Sequence, residues 1–117
     1  MGFLRRRLKS VSYAIQGIGV LMRTQVHARL HLVATLVVIG LGFYFKVSRM
    51  EWALLLVAMA LVWVAESINT AIEFLVDLVS PGYHHLAAKV KDVAAAAVLL
   101  ASGFALALGL IVFLNKF

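Results

Sequence analysis

The stretch Val93-Ala-Ala-Ala-Ala-Val-Leu-Leu-Ala-Ser-Gly-Phe-Ala-Leu-Ala-Leu-Gly-Leu-Ile-Val-Phe-Leu114 runs for 22 residues without a charge. A bilayer core about 30 Å thick is crossed by about 20 mostly apolar helical residues, so this stretch predicts a transmembrane helix. Working outward, Trp52 through Val79 predicts a second span. Leu30 to Phe45 predicts a third, short one that helical residues before it would lengthen. Composition agrees: 64% of residues are hydrophobic and 14% charged, with a mean hydropathy of +1.02. A soluble domain is about half apolar and a quarter charged, which excludes a soluble enzyme and a disordered tail. A chain of 117 residues makes one small domain. The predicted class is an all-α integral membrane protein. It is a single domain over 1–117, with a surface helix over 1–29 and spanning helices over about 30–46, 51–79 and 92–114. The absence of cysteine removes disulfides, thiolate metal sites and redox motifs.

In the N-terminal segment, Leu4, Leu8, Val11, Ile15, Ile18 and Met22 recur at three and four, while Arg5, Arg6, Arg7, Lys9, Arg23 and Arg29 supply charge. This pattern predicts an amphipathic helix lying on an anionic membrane surface. The net charge of +6 is accounted for by basic residues beside apolar segments, so no nucleic-acid partner is expected. No cleaved signal peptide is expected, because the basic start does not lead directly into an apolar core. The N-terminal segment and Lys89 and Lys91 place eight basic residues on one side; Lys46, Arg49 and Lys116 place three on the other. The excess marks the cytoplasmic side, giving a multi-pass protein of a prokaryotic inner membrane with its N-terminus inside. Ala97, Ala101, Ala105 and Gly109, spaced by four, would permit close helix packing within or between subunits, or simply face lipid.

Chemistry is expected where the acids are. Of five carboxylates, Glu51 lies at the outer boundary beside Trp52 and is read as an interfacial anchor. Glu66, Glu73, Asp77 and Asp92 gather toward the inner end, where ionisable groups are usually functional. Glu66, Asn69, Glu73 and Asp77 are separated by three, four and four, so they share a helical sector of roughly 80°. Three like charges on one face are tolerated if a cation sits among them or one is protonated. Mg²⁺ bridges carboxylates to phosphates, and a deeper carboxylate with a raised pKa can serve as a general base. These residue types fit metal-assisted phosphoryl transfer to a lipid alcohol; a face buried against a basic neighbouring helix is the plainer alternative. Ser80-Pro81-Gly82 breaks the helix, and Tyr83, His84, His85, Lys89, Lys91 and Asp92 open the next. His27 and His31 could pair on a metal but lack a third ligand, and are read as interfacial residues. No P-loop or dinucleotide fingerprint is present, so any nucleotide site is unconventional.

The run Glu66-Ser-Ile-Asn-Thr-Ala-Ile-Glu73-Phe-Leu-Val-Asp77, followed by Tyr83-His84 and by Lys91-Asp92 ahead of Ala94-Ala-Ala-Ala-Val-Leu, resembles the small prokaryotic diacylglycerol kinase and undecaprenol kinase family. The resemblance covers nearly the whole chain. It implies a homotrimer of three-span subunits with sites shared between subunits, transferring the γ-phosphate of MgATP to a membrane lipid alcohol. By motif, Glu66 matches the general base and Asn69 a residue holding the site's geometry. Glu73 matches a Mg²⁺ ligand. Asp77, Tyr83, His84, Lys91 and Asp92 match the nucleotide-binding set, with Arg6 and Tyr13 matching further nucleotide contacts. In Thr24-Gln25-Val-His-Ala-Arg29, Gln25 replaces the family's second metal-binding glutamate, supplying a carbonyl oxygen without charge. Gly82 stands where an acid often precedes Tyr-His. The stretch from Asp77 to Ala87 reads closer to the undecaprenol branch. Two other readings follow: a nucleotide-binding or structural trimer that has lost catalysis, favoured by Gln25, and an ion- or proton-coupled protein using the carboxylates as a relay.

Overall fold

The computed structural model describes residues 2–117. Four α-helices follow one another: α1 over Gly2–Thr24, α2 over Val26–Tyr44, α3 over Arg49–Val79 and α4 over His85–Phe113, closed by a 3₁₀ turn at Leu114–Lys116. The last three are long and apolar enough to cross a membrane. The all-helical fold is that of an integral membrane protein, in line with the hydropathy. Most large apolar side chains of α2, α3 and α4, such as Leu36, Val64 and Leu99, are exposed. Such a surface is suited to lipid rather than water.

Helix boundaries differ from the sequence expectation at three places. The surface helix was expected to reach residue 29, but the break falls at Gln25, whose backbone is extended (φ −114°, ψ 115°). Neither proline nor glycine marks it; it coincides with the change from a one-sided apolar pattern to an all-round one. Helix α3 starts at Arg49 because Ser48 and Glu51 form a capping box. Ser48 Oγ accepts from the Glu51 N–H at 3.1 Å, and Glu51 Oε1 accepts from the Ser48 N–H at 2.8 Å. Helix α4 starts at His85, well before residue 92, because His84 caps it: Nδ1 accepts the Leu86 N–H at 3.1 Å.

One end of the bundle is pinned. Val47, Leu55, Val112 and Phe113 form a small core, against which Val38, Leu41, Phe45, Trp52 and Met59 pack. Lys46 takes φ 52°, the left-handed conformation that helps the chain reverse between α2 and α3. Gly42 is required there: a Cβ on it would sit 2.5 Å from Trp52 Cη2, so a side chain would push the indole off the core. Lys116 Nζ lies 3.1 Å from Glu51 Oε2, tying the last turn to the start of α3. Glu51 is thus a cap and an ion-pair partner, more than the interfacial anchor its position suggested. The small-residue stripe gives no tight contact inside the chain. Ala97 is exposed, and a Cβ on Gly109 would meet nothing.

Length arithmetic then positions the polar end. Helix α2, with 19 residues, spans about 28 Å, and α3, with 31 residues, about 46 Å. A hydrocarbon core of about 30 Å accommodates the first and is overrun by the second. Because α3 and α4 are pinned at the Glu51–Lys116 end, the excess of about 16 Å emerges at the other, from about Asn69 onward.

Candidate active site

Glu66 is the most enclosed polar side chain in the protein, 2% exposed. Its Oε2 faces His31 Nε2 of α2 at 3.5 Å. His31 is held from two sides. Its ring meets Trp63 edge-on, with centroids 6.3 Å apart. Its carbonyl accepts the Thr35 hydroxyl at 2.7 Å, and that hydroxyl accepts the Trp63 indole N–H at 2.9 Å. Trp63 and Glu66 are one turn apart on α3, so the indole that braces the histidine belongs to the same helix as the carboxylate.

Below this polar layer lies a cavity of about 430 Å³ between α2, α3 and α4. His31 and Thr35 stand at its polar end, and Leu55, Leu106 and Phe113 are among its walls. It is an apolar slot ending next to a buried carboxylate.

Farther along the same face of α3, Asn69 is buried and its Nδ2 donates to Glu73 Oε1 at 3.3 Å. Asn69 Oδ1 and the Thr70 hydroxyl are buried without hydrogen-bond partners, an unsatisfied state that polar ligands relieve. The next turn carries Asp77, whose Oδ1 lies 2.6 Å from Lys91 Nζ of α4. Asp92, Tyr83 and His84 are exposed at this end, with His84 stacked on His85 at 4.7 Å between centroids. The α3–α4 hairpin thus presents Glu66, Asn69, Glu73, Asp77 and Lys91 in sequence from the apolar interior outward, with Asp92 next to Lys91 on α4 and Tyr83 and His84 at the tip.

Three predicted residues are not brought to this set by contacts within one chain. Arg6 Nε bonds only to the Gly2 carbonyl of its own helix, at 3.2 Å. Tyr13 is exposed. Gln25 Nε2 bonds to Thr24 Oγ1 at 3.2 Å. The nearer half of α1 does approach α3: Gly17, Ile18 and Leu21 line a second cavity with Ser67, Thr70 and Phe74.

No three Asp, Glu or His side chains converge on one point among the described residues. Mg²⁺ delivered with a nucleotide needs only one or two protein carboxylates, since phosphates and waters complete its shell. Glu73, partly exposed, and the unpaired Asn69 Oδ1 are oxygen donors of the kind that fits. The sequence reads both His27 and His31 as interfacial residues; the structure exposes His27 but turns His31 toward Glu66. The signal that singles out His31 is an ionisable side chain inside a spanning helix.

Residues 12–113 match the model of the family described as prokaryotic diacylglycerol kinase. An undecaprenol kinase of Bacillus subtilis is 35% identical over 113 residues, covering 97% of this chain and 92% of that protein. A diacylglycerol kinase of Synechocystis is 38% identical over 103 residues, covering 87% of this chain and 59% of its own length. A diacylglycerol kinase of Escherichia coli K12 is 31% identical over 96 residues, covering 82% and 79%. A family match over nearly the whole chain, on a fold that buries one carboxylate at the polar end of three apolar helices, shows that this chain belongs to the prokaryotic diacylglycerol kinase family of membrane lipid kinases.

Proposed function

We propose that this protein transfers the γ-phosphoryl group of ATP, taken as its Mg²⁺ complex, to the hydroxyl of a membrane lipid alcohol, and that undecaprenol is preferred over diacylglycerol. The observation that carries the reading is Glu66, a buried carboxylate that faces His31 on the wall of an apolar cavity and stands at the head of a polar helix face. The hydroxyl oxygen attacks the γ-phosphorus. Its proton passes to the Glu66 carboxylate, and the bond from the γ-phosphorus to the bridging oxygen breaks, releasing ADP. The enclosed position of Glu66 keeps bulk water away from the carboxylate that accepts the proton. Glu73 would hold Mg²⁺, which supplies positive charge against the phosphate oxygens, and Asn69, donating to Glu73 Oε1, would keep that carboxylate in place. Lys91, Asp77, Asp92, Tyr83 and His84 bind the nucleotide outside the bilayer, at its cytoplasmic face.

Arg6 and Tyr13 on a surface-lying α1 complete the nucleotide site, and Gln25 supplies a neutral oxygen toward a second metal position. Because these three do not meet the α3–α4 set within one chain, a homotrimer with sites shared between subunits accounts for them. Gln25 also supports a second reading, in which the trimer binds nucleotide without transferring phosphate.

The preference for undecaprenol rests on the Bacillus subtilis relative, which matches over more of this chain than the two diacylglycerol kinases do. The test is competition: undecaprenol and diacylglycerol at equal mole fraction in mixed micelles, with products separated by chromatography. Phosphorylated undecaprenol is expected to dominate. A dominant phosphatidic acid product would reverse the assignment.

A further inference from the structure

We propose that His31 is a positioning residue for Glu66, its Nε2–H donating to the carboxylate that accepts the substrate proton. The inference rests on the reading of Glu66 as the base. His31 Nε2 is buried and has no hydrogen-bond partner, although it faces Glu66 Oε2 at 3.5 Å. A buried ring N–H without an acceptor is destabilising. The nearest charged acceptor is slightly beyond bonding distance, and such contacts commonly tighten when substrate binds. The ring is braced from the Trp63 side. Trp63 packs on it edge-on, and Thr35 bridges the indole N–H to the His31 carbonyl.

This arrangement orients one oxygen of Glu66 toward α2 and leaves the other to meet the hydroxyl. His31 also stands at the polar end of the apolar cavity, so a lipid chain lying there would bring its hydroxyl past the imidazole. A carboxylate free to rotate in a low-dielectric site would lose much of its efficiency, because proton transfer depends on a hydrogen-bonded geometry. Neither Glu73 nor Asp77 can do this for Glu66, since they lie two and three turns farther along α3.

Two substitutions of similar polarity separate positioning from packing. The amide nitrogen of glutamine reaches about as far as Nε2, and that of asparagine only about as far as Nδ1. With wild-type protein, His31→Gln and His31→Asn purified in mixed micelles, kcat and KM are measured for ATP and for lipid alcohol. His31→Gln is expected to keep kcat within about threefold of wild type. His31→Asn is expected to lower kcat by about tenfold or more, the loss for one hydrogen bond to a charged group, with KM for ATP unchanged. His31→Asn combined with Glu66→Gln is expected to lose no more than Glu66→Gln alone. Equal activity of the Asn and Gln variants, or losses that multiply in the double variant, would overturn the proposal. An inactive wild type would instead remove the kinase reading, and full activity in Glu66→Gln the assignment of Glu66 as the base, on which it rests.

Discussion

Glu66→Gln is expected to lower kcat for lipid phosphorylation by about 10²- to 10⁴-fold, the contribution of a positioned general base, while KM for ATP stays near the wild-type value. The substitution keeps the shape and volume of the side chain. Glu66 is 2% exposed in a closely packed layer, so a smaller residue would leave a cavity and confuse stability with chemistry. An amide cannot take up the hydroxyl proton at neutral pH. The nucleotide end is remote: Asp77 and Lys91 pair at 2.6 Å about 16 Å farther along the helix. The split between kcat and KM therefore distinguishes loss of the base from loss of the site. Wild-type turnover in this variant would remove Glu66 from the chemistry.

Glu73→Gln is expected to lower kcat/KM for MgATP by about 10²-fold or more, the size of losing one preorganised electrostatic contact at a transferring group. The half-saturating Mg²⁺ concentration is expected to rise as well. Glutamine retains the side-chain oxygen that accepts from Asn69 Nδ2, at 3.3 Å in the native protein, and removes only the charge. A fall in activity that excess Mg²⁺ partly restores would point to a metal ligand; an equal fall at every Mg²⁺ concentration would point to a structural role. In the proposed site Gln25 would offer only an uncharged oxygen, so Glu73 would carry a larger share of the negative charge than beside a second glutamate. Full activity in Glu73→Gln would contradict its assignment.

Hydropathy made the three spans legible because lipid demands long uninterrupted apolar helices, and few other sequences satisfy Val93–Leu114. The polar face of α3 was legible for a related reason: three carboxylates and Asn69 at helical spacing survive near a bilayer only with a purpose. The boundaries were harder. The Ser48–Glu51 capping box was present in the sequence as Ser-Arg-Met-Glu. The Gln25 break carried no helix breaker, and arises where α1 turns into the apolar α2. His31 was legible only as an ionisable group in a span. Its partner is 35 residues away on another helix, and no local periodicity encodes which faces of α2 and α3 meet. Arg6, Tyr13 and Gln25 mark the opposite case, since only the family resemblance assigns them to a site, and the contacts of one chain do not assemble it.

The central claim is phosphate transfer to a membrane alcohol. It is tested most directly by incubating purified protein with γ-labelled ATP in mixed micelles containing undecaprenol, diacylglycerol or no added lipid, each with and without Mg²⁺. Label in the lipid fraction is expected only when an alcohol and Mg²⁺ are both present, and most strongly with undecaprenol. Folded protein that binds nucleotide but leaves every lipid fraction unlabelled would contradict the claim and favour a binding protein that retains the fold without the chemistry.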